Sequence, residues 1–434
     1  MELRESRALV LGKGKTGTST VTFLEGKGAR VTWKDEVEDG PFTLLHPLDY
    51  DLVVQSPGIS RQHPFLLACD EAGVRITNEI ELASRFATAP IIGVTGTNGK
   101  TTIVHLLQHL LAGCGLRSVL AGNVGHPFIG SLHERAEAYV VELSSYQLEG
   151  IDSFHPKIAV ISNLTPDHLE RHKTMERYLE IKERIYRNMD TTDTLILNWD
   201  DPRLRVLNPK GTRCLWFSRK EPVLGIYCLE ERIILNLPGL EKEELLPTGM
   251  LKLIGDHNIE NVMVAALAAV LMGLGTSCIR RKILSFPGVE HRLEYVSDVK
   301  GIPYFNDSKS TNPDAAITAL RAFPHHRVNL ILGGSPKEVS YAELAKEIVL
   351  CNAKPILQGV TRDEIAMELE KVGCVDYGMA KDLKEALEVA MVQAKRDEVV
   401  VLSPACASFD QFDNFEHRGE VFKKYVKEYA GKQE

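Results

Sequence analysis

The chain has 434 residues, too many for one compact core, so two or three domains are expected. Its 44% hydrophobic and 25% charged residues are those of an ordinary globular protein. A net charge of −8 argues against a non-specific nucleic-acid binder, so an anionic substrate would have to be held by local Lys, Arg, backbone N–H groups or a metal.

No apolar stretch follows Met1-Glu2-Leu3-Arg4-Glu5, so no secretory signal is expected. The longest uncharged apolar run, Val262 to Gly275, is too short to span a bilayer and reads as a buried helix. The eight cysteines contain no C-x-x-C pair, which predicts reduced thiols in the cytoplasm, with neither a disulfide framework nor a zinc site.

Short apolar runs alternate with helical patterns, predicting α/β domains with parallel sheets covered by helices. In the first segment, strands are expected at Ala8–Leu11, Arg30–Trp33 and Asp51–Val54, with helices near Thr16–Lys27, His63–Ala72 and Glu79–Phe86. Ala87-Thr88-Ala89-Pro90 is a linker, since proline closes one element and opens an extended one. A second segment carries strands at Ile91–Thr95, Tyr139–Val141 and Ile158–Ile161, then an amphipathic helix near Met175–Asn188. A β-rich stretch from Cys214 to Leu237 and a long apolar helix at Asn258–Met272 follow, and the pattern resets at Phe286-Pro287-Gly288. The third segment shows strands at Val328–Leu332 and Val399–Leu402, with helices near Tyr341–Leu350, Arg362–Lys371 and Lys381–Ala394. Three domains are expected, at residues 1–89, 90–288 and 289–434.

The strongest local signal is Thr95-Gly96-Thr97-Asn98-Gly99-Lys100-Thr101, between a strand and a helix. Glycines let the backbone wrap a phosphate, whose charge the successive N–H groups and the helix N-terminus favour. Lys100 would reach the β- and γ-phosphates, and the Thr101 hydroxyl would ligate Mg²⁺. The motif departs from the general P-loop pattern at Val94, where a glycine is usual.

A second cluster, Gly12-Lys13-Gly14-Lys15-Thr16-Gly17, follows the first strand, with Asp35 about twenty residues on. It suits an NAD-dependent oxidoreductase, the pyrophosphate of a UDP-sugar, or only a tight strand–helix turn. Glu142, at a strand's carboxyl end, is a Mg²⁺ ligand or a helix N-terminal acid. His168, in Asn163-Leu164-Thr165-Pro166-Asp167-His168-Leu169, is a metal or substrate ligand or a surface residue. On pattern alone, Lys182 in Glu180-Ile181-Lys182-Glu183 is a solvated helix lysine. His291-Arg292-Leu293-Glu294 and Asn306-Asp307-Ser308-Lys309-Ser310-Thr311-Asn312 are either contacts of a second crevice or capped loops. Cys406, in Ser403-Pro404-Ala405-Cys406-Ala407-Ser408-Phe409-Asp410-Gln411-Phe412, is a small buried filler.

In this order, GTNGKT, ELSSYQL, NLTPDHL, the lysine of YLEIKERIY, GDHNIEN, HRLE, NDSKSTN and SPACASFDQF closely resemble the Mur ligase family, amide-forming enzymes of bacterial peptidoglycan precursor synthesis. The likeness runs from residue 12 to about residue 419. The compact length, the N-terminal GxGxxG and the SPACASFDQF ending resemble the family's D-glutamate-adding branch.

The resemblance implies a Rossmann-like first domain, a P-loop-type central ATPase domain and a Rossmann-like C-terminal domain. It implies that ATP phosphorylates the L-alanyl carboxylate of UDP-N-acetylmuramoyl-L-alanine and that the D-glutamate amine attacks the acyl phosphate. Gly96, Thr97, Asn98, Gly99, Lys100, Thr101 and Thr102 would hold ATP. Thr101 and Glu142 would hold one Mg²⁺, and His168 with a carbamylated Lys182 a second. Asn261, Arg292 and Asp307 would contact the nucleotide, and Lys309 would act in catalysis with Arg292. Thr16, Asp35, Ser56, Asn78 and Asn123 would serve the UDP-linked substrate. Thr311, Lys337 and Ser408 would serve D-glutamate, and Phe415 would be a further substrate contact. A cytoplasmic monomer, acting on small molecules without nucleic-acid or membrane partners, is implied, with its site completed by domain closure.

Overall fold

The computed structural model describes residues 2–133, 135–207, 209–336 and 339–431. They form three mixed α/β layers in chain order. By contact density the chain divides into two compact units, Met1–Leu251 with His257–Phe286, and Lys252–Asp256 with Pro287–Glu434.

In the first unit, β1 (Arg7–Leu11), β2 (Arg30–Lys34), β3 (Leu52–Gln55) and β4 (Arg75–Asn78) form a parallel sheet in the order β2-β1-β3-β4. A nine-stranded sheet follows. Its strands are β5 (Ile91–Thr95), β6 (Ser118–Gly122), β7 (Ala138–Glu142), β8 (Ile158–Ile161), β9 (Thr194–Asn198), β10 (Arg213–Ser218), β11 (Gly225–Leu229), β12 (Arg232–Asn236) and β13 (Glu243–Pro247). Their order is β13-β12-β11-β10-β9-β8-β5-β7-β6, parallel from β6 to β11 and antiparallel at the last two. β5, β7 and β8 are buried along their whole length, which is why they read as unbroken apolar runs instead of alternating ones. The helix Lys100–Gly113 buries Ile103, Val104, Leu106, Leu107, Leu110 and Leu111, the helical spacing of one apolar face. One continuous core joins Val10, Leu24 and Leu52 of the first layer to Phe128, Tyr139 and Val141 of the second.

The second unit holds β14 (Glu294–Val299), β15 (Ile302–Asn306), β16 (Val328–Leu332), β17 (Lys354–Leu357), β18 (Gly378–Met379) and β19 (Val399–Leu402). Their order is β14-β15-β19-β16-β17-β18, with only the β14–β15 hairpin antiparallel. No helix among the described residues is long and apolar enough to cross a membrane.

The expectation of reduced thiols needs correction. Cys114, which caps the helix Lys100–Gly113, is disulfide-bonded to Cys278 in the helix Thr276–Ser285, with Cα atoms 5.9 Å apart. The pair is 164 residues apart in sequence, so no local spacing motif could announce it. Six further cysteines are free, and Cys406 is fully buried as the sequence suggests.

Glu79 ties the two layers of the first unit together. Its carboxyl is buried and accepts the Ile129 N–H at 2.6 Å, and burial pushes its pKa from 4.5 up to about 7.

Reducing the disulfide, or replacing Cys278 by serine, should lower the unfolding free energy by about 2–5 kcal/mol, read as a lower urea midpoint; an unchanged midpoint would deny the cross-link any stabilising role. For Glu79 the folded pKa lies above the unfolded one, so its contribution is full below pH 4.5 and is lost as pH rises to about 7. Glu79→Gln should therefore flatten the stability profile between those limits, by on the order of 3 kcal/mol, in urea unfolding at stepped pH.

Candidate active site

Strand order reverses at β5, whose neighbours are β7 and β8, and the P-loop leaves the carboxyl end of β5 at that reversal. A ligand crevice opens at such a point because successive crossovers run to opposite sides. Gly99 ends the loop at φ +83° as the N-cap of the helix Lys100–Gly113. A Cβ there would also lie 2.4 Å from Asn261 Oδ1, so both conformation and space demand glycine. The loop after β8 braces the P-loop: Thr97 N–H donates to Asn163 O at 3.0 Å, Asn98 N–H to Asn163 Oδ1 at 2.8 Å, and Ser162 Oγ to Asn98 O at 2.8 Å. Lys100 Nζ folds onto the carbonyls of Gly96 at 2.8 Å and Thr97 at 2.7 Å. Thr101 and Thr102 are buried in the helix's first turn.

Glu142 ends β7 and pairs in register with Val94, the residue before Thr95. Its Oε1 accepts from Asn123 Nδ2 at 2.8 Å, while its buried Oε2 has no hydrogen-bond partner among the described residues. A buried carboxylate oxygen without a donor is costly unless a cation serves it.

Lys182 is not the solvated helix lysine that its pattern suggests. It is 1% exposed, donates to Gly96 O at 2.9 Å and Thr95 Oγ1 at 3.3 Å, and stands 4.5 Å from the Tyr178 ring centroid. Its helix turns this face into the core, which a mixed polar sequence did not reveal. Burial first, then the charge of Lys100, holds its pKa well below the usual lysine value. His168 sits in a left-handed conformation (φ +54°), with Nδ1 3.1 Å from Tyr146 Oη.

The first sheet reverses between β1 and β3, and a cavity of about 370 Å³ opens there. Gly12, Gly14, Thr16, Asp35, Ser56 and Ile59 line it, so three of the predicted substrate residues are brought together. Gly12 has φ +97°, and a Cβ on it would meet Ser56 Oγ at 2.5 Å. Asp35 Oδ2 accepts the Lys13 N–H at 3.2 Å and Oδ1 the Val37 N–H at 3.0 Å. Asn78 lies outside this lining: it is buried, donates to Gln147 O at 2.6 Å and accepts the Glu81 N–H at 2.9 Å.

In the second unit, three motifs meet at the carboxyl ends of β15 and β19. Asp307 Oδ1 accepts the Leu293 N–H at 3.2 Å, and its Oδ2 accepts Ser403 Oγ at 2.8 Å and Ser310 Oγ at 2.5 Å. Burial raises its pKa to about 6 against these bonds. Lys309 Nζ lies 5.4 Å from the Phe415 ring centroid; Arg292 is exposed, Thr311 half-buried and Ser408 buried. Lys337 falls outside the described residues.

Arg418 went unrecognised in the sequence. It is fully buried and donates to Ser308 Oγ and O and to the carbonyls of Cys406 and Ala407 at 2.8–3.1 Å, riveting NDSKSTN to the SPACASFDQF loop. An arginine in an amphipathic helix looks solvated, and only its contact partners reveal otherwise. Among the described residues two His–carboxylate clusters occur, each already bonded to a lysine: His155–Asp190–Asp193, and Glu290–His291–Glu420, whose His291 packs on Phe415 and accepts the Lys309 N–H on its carbonyl at 3.1 Å.

The Mur ligase middle domain matches residues 94–269, and the Mur ligase, glutamate ligase domain matches residues 291–406. A UDP-N-acetylmuramoylalanine--D-glutamate ligase of Koribacter versatilis is 39% identical, over 99% of either chain. The chain belongs to the Mur ligase family. A second relative bearing the same name, from Thermoanaerobacter pseudethanolicus, is 38% identical over 99% of each chain. The Mur ligase fold is also seen in the crystal structure of the UDP-N-acetylmuramate-alanine ligase MurC of Thermotoga maritima, with TM-score 0.63, 18% identity and coverage of 98% of this chain and 99% of that one.

Proposed function

We propose that this chain is a cytoplasmic, ATP-dependent ligase that joins D-glutamate to UDP-N-acetylmuramoyl-L-alanine through an acyl phosphate. The observation that carries the reading is Glu142, whose buried Oε2 has no donor among the described residues at the carboxyl end of the strand beside the P-loop, in a chain of this family. The GxGxxG turn alone would also suit a dinucleotide oxidoreductase, but that reading leaves the P-loop and Glu142 without work.

Three domains divide this labour in the reading: a Rossmann-like one for the UDP moiety, a P-loop ATPase and a Rossmann-like one for the amino acid. Lys100 exchanges its loop carbonyls for the β- and γ-phosphate oxygens. Thr101 and Glu142 hold one Mg²⁺, with Asn123 fixing the second oxygen of Glu142. Bound Mg²⁺ neutralises charge on the transferring phosphoryl group.

Lys182 fits a second role. Burial favours its neutral amine, drawing its pKa well below the usual lysine value. A neutral amine adds to CO₂ and loses a proton, giving a carbamate whose oxygens replace a repulsive cation with an anionic Mg²⁺ ligand. His168 shares that metal.

Thr16, Asp35 and Ser56 serve the UDP moiety, and Asn78, whose amide is engaged by Gln147 O and the Glu81 N–H, supports them from outside the cavity. Asn261, Arg292 and Asp307 serve the nucleotide, and Lys309 acts with Arg292 on the phosphoryl group. Thr311, Lys337 and Ser408 receive the D-glutamate, and Phe415 is a further substrate contact. Excluding water matters, because an acyl phosphate hydrolyses readily. The chain acts as a monomer.

Phosphate release from ATP and Mg²⁺ should require both UDP-N-acetylmuramoyl-L-alanine and D-glutamate, with a product heavier by one glutamate residue; release with another amino acid alone would move the specificity. Lys182→Ala should lose activity by more than about 100-fold and regain part of it with added short carboxylic acids. Full activity without them would remove the carbamate from the mechanism.

A further inference from the structure

His172 is absorbed by none of the roles above, yet it is among the most enclosed polar side chains of the first unit. It ends the short helix Leu169–His172 that follows the NLTPDH loop. Its ring lies between two aromatic rings, 5.7 Å from Tyr146 and 5.2 Å from Tyr178, the latter stacked at 30°. Nε2 stands 2.9 Å from Ser145 Oγ, in the ELSSYQL segment, and Nδ1 is 3.4 Å from Glu149 Oε1.

Both flanking tyrosines reach outward to the proposed machinery. Tyr146 Oη is 3.1 Å from His168 Nδ1. Tyr178 Oη is 3.3 Å from Thr97 Oγ1 in the P-loop, and its ring carries Lys182 Nζ at 4.5 Å. Thr97 Oγ1 in turn donates to Thr165 O at 3.1 Å, closing the path back to the loop that bears His168. The two tyrosines come from separate helices, Ser145–Leu148 and Met175–Glu183, and His172 is in contact with both.

We propose that His172 is a positioning residue of the ligase reaction: wedged between Tyr146 and Tyr178 and bonded to Ser145, it sets the two hydroxyls that orient His168 and the Thr97 end of the P-loop. The role rests on the function proposed above. His172 reaches the P-loop and Lys182 through Tyr178. It acts by fixing a separation, since aromatic stacking defines ring spacing and the Ser145 bond defines rotation about the stack. A phenylalanine keeps the spacing and loses the bond. A displacement of about 1 Å in the supporting residues is enough to cost on the order of 100-fold in rate.

The test compares wild type, His172→Phe, Ser145→Ala and the double variant. The expected result is a fall in kcat of about 10- to 100-fold in His172→Phe, with KM for ATP within about twofold and the melting temperature near that of wild type. Ser145→Ala should reproduce most of that fall, and the double variant should be no worse than the poorer single one, the signature of a shared bond. Wild-type kcat in His172→Phe, additive losses, or losses that track melting temperature would overturn the proposal. Hydrogen exchange supplies a readout independent of turnover: the amides of residues 95–99 and 163–168 should exchange faster in His172→Phe, with the second unit unchanged. If the wild-type protein lacked ligase turnover the functional reading would fail by itself, and unchanged exchange in those segments would still separately overturn the positioning role.

Discussion

Two lysines share one carbonyl oxygen in the P-loop of the first unit. Lys100 and Lys182 both donate to Gly96 O, one from the helix that begins at the P-loop and one from a helix eighty residues on. Two ammonium groups that close repel each other, and burial favours discharging the one with less access to water. Lys182 is that one. Much of the surrounding architecture serves to make the encounter possible: the Tyr178 ring near Lys182, the Thr95 hydroxyl beside it, and the Asn163 and Ser162 contacts that brace the loop. Environment alone thus sets two lysines apart, the buried Lys182 having its pKa held well below the usual lysine value by burial and by the charge of Lys100.

The same sheet logic is used three times. In each layer the side chains of interest hang from carboxyl ends of parallel strands: Gly12 and Ser56 after β1 and β3, the P-loop and Glu142 at β5 and β7, Asp307 and Ser403 after β15 and β19. The crossover helices leave these ends uncovered where the order reverses, and the loops there are braced by their own backbone bonds, as Thr97 and Asn98 N–H are by Asn163. The acids differ in what they do there. Asp35 braces its own turn while lining the cavity, Asp307 accepts from two hydroxyls and an N–H, and Glu142 keeps one buried oxygen without a donor among the described residues.

What the sequence made legible follows from locality. The strands at Ile91–Thr95 and Val328–Leu332 are buried on both faces, so unbroken apolar runs reported them to the residue. The P-loop was readable because its glycines answer constraints set within a few residues. The segment Arg75–Asn78, the strand Ser118–Gly122 and the hairpin of β14 and β15 were not anticipated, since each mixes polar and apolar residues without clear alternation. Among site residues, Lys182 and Arg418 were the instructive failures of pattern. Both look like solvated cations in amphipathic helices, and both are buried by partners far away in sequence. The Cys114–Cys278 bond was hidden for the same reason.

The third sheet carries an implication for how the chain is made. Its strand β19 is the last to leave the ribosome, yet it lies between β15 and β16, and Arg418, later still, locks the loop that follows. Until those residues emerge, β15 and β16 have no neighbour on their facing edges, and exposed edges of this kind invite pairing with other chains. Such long-range closure is slow relative to local folding. A chain truncated before Val399 would therefore lack a complete second unit, so premature termination yields a product without the Asp307–Ser403 contact and exposed to proteolysis, instead of a partly functional enzyme.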